Sequence, residues 1–292
     1  MEKIRYKEEK MNWGEILKAV LFGIIEGITE WLPISSTGHM ILLQEFVTLK
    51  MSAEFMEMFF VVIQLGAILA VVLLYWNKLF PFSFKRGVQI KISILQMWFK
   101  IIFACIPAAV VGILFDDQLN DWFYNYQTVS IMLILFGILF LVIENMNYGK
   151  RPEIVKLSQI TYKTAFLIGL FQLIAAVFPG TSRSGATIIG GLLIGMSRTV
   201  AAEFTFFLAV PVMFGASLLK LIKFGIKFES DEVVVLLVGM IVAFVVSIIS
   251  IKFLMNYIKK NNFKSFGWYR IVLGILVLLY FGIQTLLGFI AA

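Results

Sequence analysis

The sequence predicts an all-α polytopic membrane protein, built as an inverted-topology repeat with about six full transmembrane helices and two re-entrant helix-loop-helix pairs. Three observations predict this fold class. The chain has 292 residues, of which 60% are hydrophobic and only 15% charged, whereas soluble domains are about half apolar and about a quarter charged. Six uncharged runs approach the length of a membrane span. Two further apolar regions are each interrupted by a polar break, so we expect one integral membrane domain over residues 1–292.

The uncharged runs are the candidates for full transmembrane helices. They cover 58–76, 101–115, 127–143, 204–219, 233–251 and 271–292. Several are shorter than the roughly 20 residues of an ideal span. Flanking residues with long side chains can extend them, so we expect the helices to continue past these limits.

Two apolar regions carry a break in the middle. The first, about 16–49, is interrupted by "LPISSTGH", and the second, about 164–197, by "FPGTSRSGAT". Proline stops a helix, while serine and glycine suit caps and tight turns. Irregular backbone at membrane depth has to be buried in protein or line a wet cavity. Each region is therefore predicted to be a helix-loop-helix pair that enters and leaves by the same face.

The two breaks also match each other. At an offset of 146 residues the matched pairs are Gly23 with Gly169, Glu26 with Gln172, Pro33 with Pro179, Ser35 with Thr181, and Ser36 with Ser182. Further on, "AEFMEMFFVV" (53–62) is similar to "AEFTFFLAV" (202–210). Aligned interruptions in corresponding halves indicate a duplication with the site between the repeats. We place repeat one at about 14–143 and repeat two at about 160–292.

The basic residues predict an orientation. If the six runs cross and the broken regions re-enter, the loops 77–99, 144–163 and 256–268 share one face. Their cations are Lys78, Lys85, Arg86, Lys91, Lys150, Arg151, Lys156, Lys163, Lys259, Lys260 and Lys264, whereas the loop 116–126 on the other face has no Lys or Arg. The positive-inside rule makes the basic face cytoplasmic and puts both termini outside. Lys3, Arg5, Lys7 and Lys10, and the three lysines of 220–227, oppose this assignment.

The net charge of +7 raises the question of a nucleic-acid partner. The basic residues are spread over loops between apolar runs, so contact with a membrane surface is the better interpretation. We expect no nucleic-acid partner.

The stretch "EGITEWLPISSTGH" (26–39), which includes the first break, contains two glutamates, several hydroxyls and the only histidine in the chain. Glu26 and Glu30 are four residues apart and share one helix face. Carboxylates at membrane depth are costly and repel each other unless a cation or proton accompanies them. The pair therefore indicates a divalent-metal site or an acid/base pair, with a solvated interfacial face as the alternative. A hydroxyl of Ser35, Ser36 or Thr37 near His39 is the minimum for an activated nucleophile, although a lone histidine is more often packed and hydrogen-bonded.

The second break contains Arg183, whose guanidinium suits phosphate oxygens. Neighbouring hydroxyls and loop amides can surround the same anion, and a following helix would point its N-terminus at it. A structural ion pair with Glu26 or Glu30 is the alternative. An arginine, a carboxylate-held cation and a nucleophile are the equipment of phosphoryl transfer. A cleft inside a membrane predicts a lipid-linked phosphate as its substrate.

The motifs "EGITEWLPISSTGH" and "PGTSRSGAT" resemble the two signature motifs of undecaprenyl-pyrophosphate phosphatases, bacterial enzymes linked to bacitracin resistance. The first pattern is a glutamate pair followed by P-x-S-S-T-G-H, and the second is P-G-x-S-R-S-x-x-T. Every signature position is present, and the likeness covers nearly the whole chain. It implies hydrolysis of undecaprenyl pyrophosphate to undecaprenyl phosphate and inorganic phosphate, which recycles the lipid carrier for cell-wall synthesis. It also implies the bacterial cytoplasmic (inner) membrane, with the active site opening toward the outer face.

The resemblance assigns roles to individual residues. The implied catalytic residues are Glu26, Glu30, Ser36, His39 and Arg183. The implied substrate-binding residues are Ser35, Thr37, Gly180, Ser182, Ser184 and Thr187. Glu26 and Glu30 would hold a divalent cation, Mg²⁺ or Ca²⁺. The expected partners are a polyprenyl pyrophosphate lipid and membrane lipids, with a homodimer left open.

The expected mechanism starts with attack by Ser36 on the terminal phosphorus, with His39 or Glu30 handling the proton. Direct attack by His39 or by water stays open. An inverted-repeat transporter or flippase for a lipid phosphate is the main alternative function, because secondary transporters also use broken helices at the midplane. The hydroxyl cluster beside a histidine and paired carboxylates favours the enzyme. The type-2 phosphatidic acid phosphatases require two histidines, and this chain has one, which excludes that class.

Overall fold

A computed structural model describes residues 13–83, 89–225 and 228–291 of the chain. Those residues are almost entirely helical. The helices are α1 Trp13–Thr29, α2 Ser36–Phe46, α3 Ala53–Leu74, α4 Trp76–Leu79, α5 Ile92–Phe123, α6 Tyr126–Met146, α7 Tyr162–Val177, α8 Arg183–Leu193, α9 Arg198–Phe224, α10 Ser230–Lys260 and α11 Lys264–Ala291. A 3₁₀ turn covers Leu157–Gln159, and the two short strands β1 Phe82–Ser83 and β2 Gln89–Ile90 pair antiparallel.

Six helices among the described residues are long and apolar enough to cross a membrane, namely α3, α5, α6, α9, α10 and α11. Each corresponds to one of the six predicted runs, which confirms the all-α polytopic fold class. Most of the helices are longer than the runs; α10, for example, covers Ser230–Lys260 instead of 233–251. The runs were cut at charged residues, but lysines and glutamates at a helix end keep their charged groups at the interface while the backbone stays helical.

Both polar breaks separate helices where the sequence predicted. The segment 30–35 joins α1 to α2, and 178–182 joins α7 to α8. The predicted loop at 220–227 is wrong in part, because α9 continues to Phe224 and includes Lys220 and Lys223. Of the cations used for orientation, Lys3, Arg5, Lys7, Lys10, Lys85, Arg86 and Lys227 lie outside the described residues.

Each broken pair packs against a long helix from the other half of the chain. α1 lies along α10, and α7 lies along α5. Both contacts rely on a glycine: a Cβ added at Gly23 would lie 2.7 Å from the Gly239 carbonyl oxygen, and one at Gly169 would lie 2.2 Å from that of Ala104. Such distances leave no room for a side chain in a close-packed interface. The packing therefore exchanges partners between halves, while the repeat limits at 14–143 and 160–292 stay a prediction.

The two breaks share an unusual backbone conformation. Ser35 has φ 73° and ψ 105°, and Ser182 has φ 68° and ψ 115°. Among the described residues they are the only non-glycine residues with positive φ. Each is the N-cap of an 11-residue helix, and its hydroxyl accepts a hydrogen bond from the amide of Gly38 or Gly185, respectively.

This match corrects the sequence alignment. The structural counterpart of Ser182 is Ser35, whereas the alignment at an offset of 146 paired Ser182 with Ser36. Gly23 and Gly169, ahead of the breaks, are aligned as predicted and serve equivalent helix contacts. The stretch from the contact glycine to the N-cap serine is therefore one residue longer in the second repeat, Gly169 to Ser182, than in the first, Gly23 to Ser35.

Candidate active site

The Glu30 carboxylate joins the two breaks. Its Oε1 accepts a hydrogen bond from the Arg183 guanidinium at 3.0 Å, and its Oε2 accepts one from the Ser36 hydroxyl at 3.1 Å. Glu30 is buried, and Arg183 also donates to the Thr205 carbonyl oxygen of α9 at 2.9 Å. The ion pair that the sequence analysis left as an alternative is therefore present. It connects the first break to the second and places Ser36 on the same carboxylate.

Glu26 is buried one helical turn before Glu30, and its Oε1 has no hydrogen-bond partner among the described residues. It lies close enough to Glu30 and Arg183 to interact with both charges. A buried carboxylate oxygen without a partner is costly. This donor set suits a cation that completes its coordination with substrate oxygens.

The described residues do not form a complete protein cage for a metal. Within the described part of the chain, no group of three or more His, Cys, Asp or Glu side chains could hold a metal ion. Mg²⁺ is commonly bound through one or two carboxylates together with substrate phosphates and water. Glu26 and Glu30 fit that arrangement.

The N-termini of α2 and α8 open directly into the breaks. Ser36 and Arg183 are the first residues of these helices, and each follows its serine N-cap. A helix N-terminus presents free amides and a partial positive charge, which favours an anion. Two such termini therefore lie next to the carboxylate pair and the arginine.

Four of the predicted substrate-binding residues divide into two groups by burial. Ser184 and Thr187 are buried and already bonded: the Ser184 hydroxyl donates to the Glu30 carbonyl oxygen at 3.1 Å, and the Thr187 hydroxyl lies 2.8 Å from that of Thr205. They position the loops and α9. Thr37 and Ser182, in contrast, are only partly buried at the helix starts.

Ser35 and Gly180 serve the backbone of the breaks. Ser35 is buried as the N-cap of α2. Gly180 has φ 88°, and a Cβ there would lie 2.5 Å from the Val129 carbonyl oxygen. Only glycine fits a position with this φ and this close approach.

The ring nitrogens of His39 have partners other than the Ser36 hydroxyl. Its Nδ1 lies 2.7 Å from the Ser35 carbonyl oxygen, and its Nε2 lies 2.7 Å from the Tyr269 hydroxyl. A carbonyl oxygen only accepts, so Nδ1 carries the proton; in the neutral ring Nε2 then accepts from Tyr269. The Ser36 hydroxyl is bonded to Glu30 instead.

Arg270 of α11 is a site residue that the sequence analysis missed. It is fully buried, and its guanidinium donates to the carbonyl oxygens of Pro33 at 3.3 Å, Gly180 at 3.0 Å and Thr181 at 2.8 Å. It also donates to the Met132 carbonyl oxygen of α6 at 3.3 Å. Arg270 thus fastens the main chain of both breaks to each other.

A sequence signal for Arg270 existed. α11 begins at Lys264, so Arg270 lies inside the helix, whereas the predicted run began at 271 and left it outside. An ionisable residue inside a membrane segment is by default a candidate functional residue. Extending the run by two turns would have brought Tyr269 and Arg270 into consideration.

Comparison with known proteins assigns the chain to a family. A model of the family described as "Bacitracin resistance protein BacA" matches residues 19–276. This chain belongs to the BacA family. The match includes both breaks, Tyr269 and Arg270, and therefore the entire candidate site.

Relatives of this BacA family member are similar over nearly their full length. A protein named undecaprenyl-diphosphatase from Desulfitobacterium hafniense is 73% identical over 274 residues, covering 94% of this chain and 99% of the relative. Undecaprenyl-diphosphatase 1 from Clostridium acetobutylicum is 68% identical over 93% of this chain and 99% of its own. Undecaprenyl-diphosphatase from Acetivibrio thermocellus is 61% identical, and the match covers 91% of this chain and 98% of the relative. These names favour the phosphatase over the transporter alternative.

Proposed function

We propose that this BacA family member hydrolyses undecaprenyl pyrophosphate to undecaprenyl phosphate and inorganic phosphate, which recycles the lipid carrier for cell-wall synthesis. The observation that carries the proposal is the shared Glu30 carboxylate, bonded to Ser36 on one oxygen and to Arg183 on the other. A hydroxyl nucleophile, a carboxylate proton acceptor and a phosphate-binding guanidinium are thereby brought together from two breaks far apart in the sequence. The names of the relatives support the same activity.

The Ser36 hydroxyl is the nucleophile in the proposed mechanism. Its Oγ forms a bond to the terminal phosphorus, and its proton passes to Glu30 Oε2, 3.1 Å away. The bond between that phosphorus and the bridging oxygen breaks, and undecaprenyl phosphate leaves. Water then hydrolyses the phosphoserine, which releases inorganic phosphate and restores Ser36.

Arg183 and the helix N-termini stabilise the charge of the pyrophosphate. Arg183 offers guanidinium donors next to Ser36, and the amides at the starts of α2 and α8 add fixed partial positive charge. Glu30 is the proton acceptor that the geometry favours over His39, because both ring nitrogens of His39 are bonded elsewhere.

The proposed cofactor is a divalent cation, Mg²⁺ or Ca²⁺, held by Glu26 and Glu30. The partnerless Oε1 of Glu26 supports this assignment. When bound, such a cation would supply charge neutralisation for the pyrophosphate oxygens.

The proposed location is the bacterial cytoplasmic (inner) membrane, with the site opening toward the outer face. The multi-pass character follows from the six apolar helices. The finer assignment rests on the basic residues in the 144–163 and 256–268 segments and on their absence from 116–126.

The test is phosphate release from undecaprenyl pyrophosphate by the purified protein in detergent, with Mg²⁺, Ca²⁺ or chelator. Ser36→Ala and Arg183→Ala are compared with the exposed controls Ser158→Ala and Lys163→Ala. We expect cation-dependent release that falls at least about a hundredfold in the two site variants, as for the loss of a nucleophile or a charge-stabilising group. Absence of release from folded wild-type protein would contradict the proposed function.

A rapid-quench experiment with radiolabelled substrate separates the nucleophiles. Label bound covalently in wild type and absent from Ser36→Ala is the expected result. Full turnover by Ser36→Ala, with no label on either protein, would show that water and not Ser36 is the nucleophile.

A further inference from the structure

A polar cavity lies at the opposite end of α8 from the candidate active site. Its volume is about 510 Å³, and it is formed by the end of α6, the turn between α8 and α9, and the end of α10. α8 has 11 residues, so about 16 Å of helix separates the cavity from the second break. The cavity is therefore distinct from the site around Glu30.

The walls of the cavity are held by main-chain hydrogen bonds. The amides of Glu153 and Ile154 donate to the Gly195 carbonyl oxygen at 2.8 Å and 3.1 Å, and the Ser197 amide donates to that of Ile154 at 2.9 Å. These bonds attach the segment after α6 to the turn between α8 and α9. The cavity is thus formed by fixed backbone, which reduces the ordering cost of binding a ligand.

The charges that line the cavity favour an anion. Arg198 is paired with the buried Glu144, whose Oε1 accepts from the arginine Nε at 2.9 Å. Lys150, Arg151 and Lys259 are exposed cavity-lining cations, and within the described part of the chain their side chains take part in no ion pair or hydrogen bond. The carboxylate of Glu153 is similarly without a salt bridge there. The unpaired lining groups therefore carry an excess of two positive charges.

The position of the cavity indicates a membrane lipid as the source of the anion. The α6 span ends at Met146, the α9 span begins at Arg198 and the α10 span ends at Lys260, so the cavity lies where the spans leave the hydrocarbon layer. Leu193 lines it and is 49% exposed. Cations at headgroup level beside an exposed apolar side chain match a phospholipid: the cations can contact its phosphate, and the apolar side chain can contact its acyl chain.

We propose that this cavity binds the headgroup phosphate of an anionic membrane lipid through Lys150, Arg151 and Lys259. The proposal is independent of the phosphatase activity, because none of these residues touches the candidate active site. A bound lipid would lie against the connection between α8 and α9, the two helices that carry Arg183 and Thr205.

Native mass spectrometry of the delipidated full-length protein tests the proposal. The probes are phosphatidylglycerol, phosphatidylcholine with the same acyl chains, and inorganic phosphate as a competitor. The double variant Arg151→Gln/Lys259→Gln is compared with Lys163→Gln/Lys260→Gln, which removes two exposed cations outside the cavity. Thermal unfolding in detergent reports whether each variant is folded.

We expect the first phosphatidylglycerol to bind wild type about tenfold more tightly than phosphatidylcholine, and the cavity variant to lose about tenfold in that affinity. The control variant should stay within about twofold of wild type. Equal losses in the two variants, or equal affinity for the two lipids, would overturn the proposal in favour of general surface charge. Displacement of the lipid by an equal concentration of inorganic phosphate would assign the cavity to a free anion and also overturn it.

Discussion

Tyr269 and Arg270 are consecutive residues of α11, yet Tyr269 bonds to the side chain of His39 while Arg270 bonds to the main chain of both breaks. The rings of Tyr269 and His39 also stack, with centroids 5.6 Å apart and planes at 8°. One turn of a C-terminal helix thus orients the only histidine and fastens the two breaks. Tyr269→Phe and Arg270→Lys should separate these two contributions.

Removal of the Tyr269 hydroxyl should affect activity more than stability. Tyr269→Phe keeps the stacked ring but frees the His39 Nε2, so the imidazole, which bonds the Ser35 carbonyl oxygen directly before Ser36, loses the bond that fixes its orientation. We expect kcat to fall about two- to tenfold, the range that corresponds to one neutral hydrogen bond. Steady-state phosphate release measures this, and Tyr148→Phe, at a residue that is 86% exposed, is the control. Equal kcat values for Tyr269→Phe and wild type would show that His39 needs no partner.

Arg270→Lys should affect stability and activity together. An ammonium group keeps the charge but lacks the fork that reaches several carbonyl oxygens at once. We expect a loss of about 2–4 kcal/mol in the free energy of unfolding, since unsatisfied buried carbonyls cost about 1–3 kcal/mol each. Thermal unfolding in detergent measures it, with the exposed Arg151→Lys as the matched control. If both substitutions leave unfolding unchanged, Arg270 does not fasten the breaks.

Glu26→Gln should separate cation binding from folding. Glutamine keeps the shape of the side chain and removes one of two neighbouring buried charges. In chelator we therefore expect thermal stability equal to or above that of wild type. With methylenediphosphonate present, Mg²⁺ or Ca²⁺ should raise the Tm of wild type but not of Glu26→Gln, because an ion stabilises only the state that binds it.

The exposed Glu45 on α2 supplies the control for this experiment. Glu45→Gln should keep the cation-induced rise in Tm in full. A normal rise in Glu26→Gln would rule out Glu26 as a ligand and leave Glu30 without its proposed partner.

The glycine contacts predict a graded loss of stability. Gly169→Ala places a Cβ 2.2 Å from main chain, Gly23→Ala places one 2.7 Å from main chain, and Gly112→Ala meets nothing within 4 Å. Overpacking costs about 1–3 kcal/mol, so we expect the largest drop in Tm for Gly169→Ala, a smaller one for Gly23→Ala and none for Gly112→Ala. Equal melting temperatures for the three variants would contradict the close helix approach.

Hydropathy and turn chemistry were sufficient to predict the six spanning helices and the two breaks. Each apolar run is a local property of the chain, and Pro33 and Pro179 mark the breaks without tertiary information. Helix ends were predicted less well, because charged residues such as Lys220 continue a helix that reaches the interface. The one-residue shift between the breaks was also missed, because Ser35 and Ser182 match in backbone conformation rather than in aligned position.

The site could be predicted only as far as its motifs extend. Glu26, Glu30, Ser36 and Arg183 stand in the two motifs, and the structure brings them together. The bond of His39 to Tyr269 and the bonds of Arg270 to both breaks join residues that are distant in sequence. No local pattern encodes such pairings, because they depend on how α11 packs against α6.

The exchanged packing of the halves constrains the order in which a newly made chain can mature. α1 rests on α10, and the main chain of the first break is fastened by Arg270. Ribosomes add about 5–20 residues per second, so roughly twelve to forty-seven seconds pass between synthesis of the first break and synthesis of Arg270. During that interval Glu30 lacks its ion-pair partner until Arg183 is made, and the main chain of the first break lacks the hydrogen bonds of Arg270 throughout. The N-terminal half of the nascent chain therefore has an incomplete polar site until the last helix has been made.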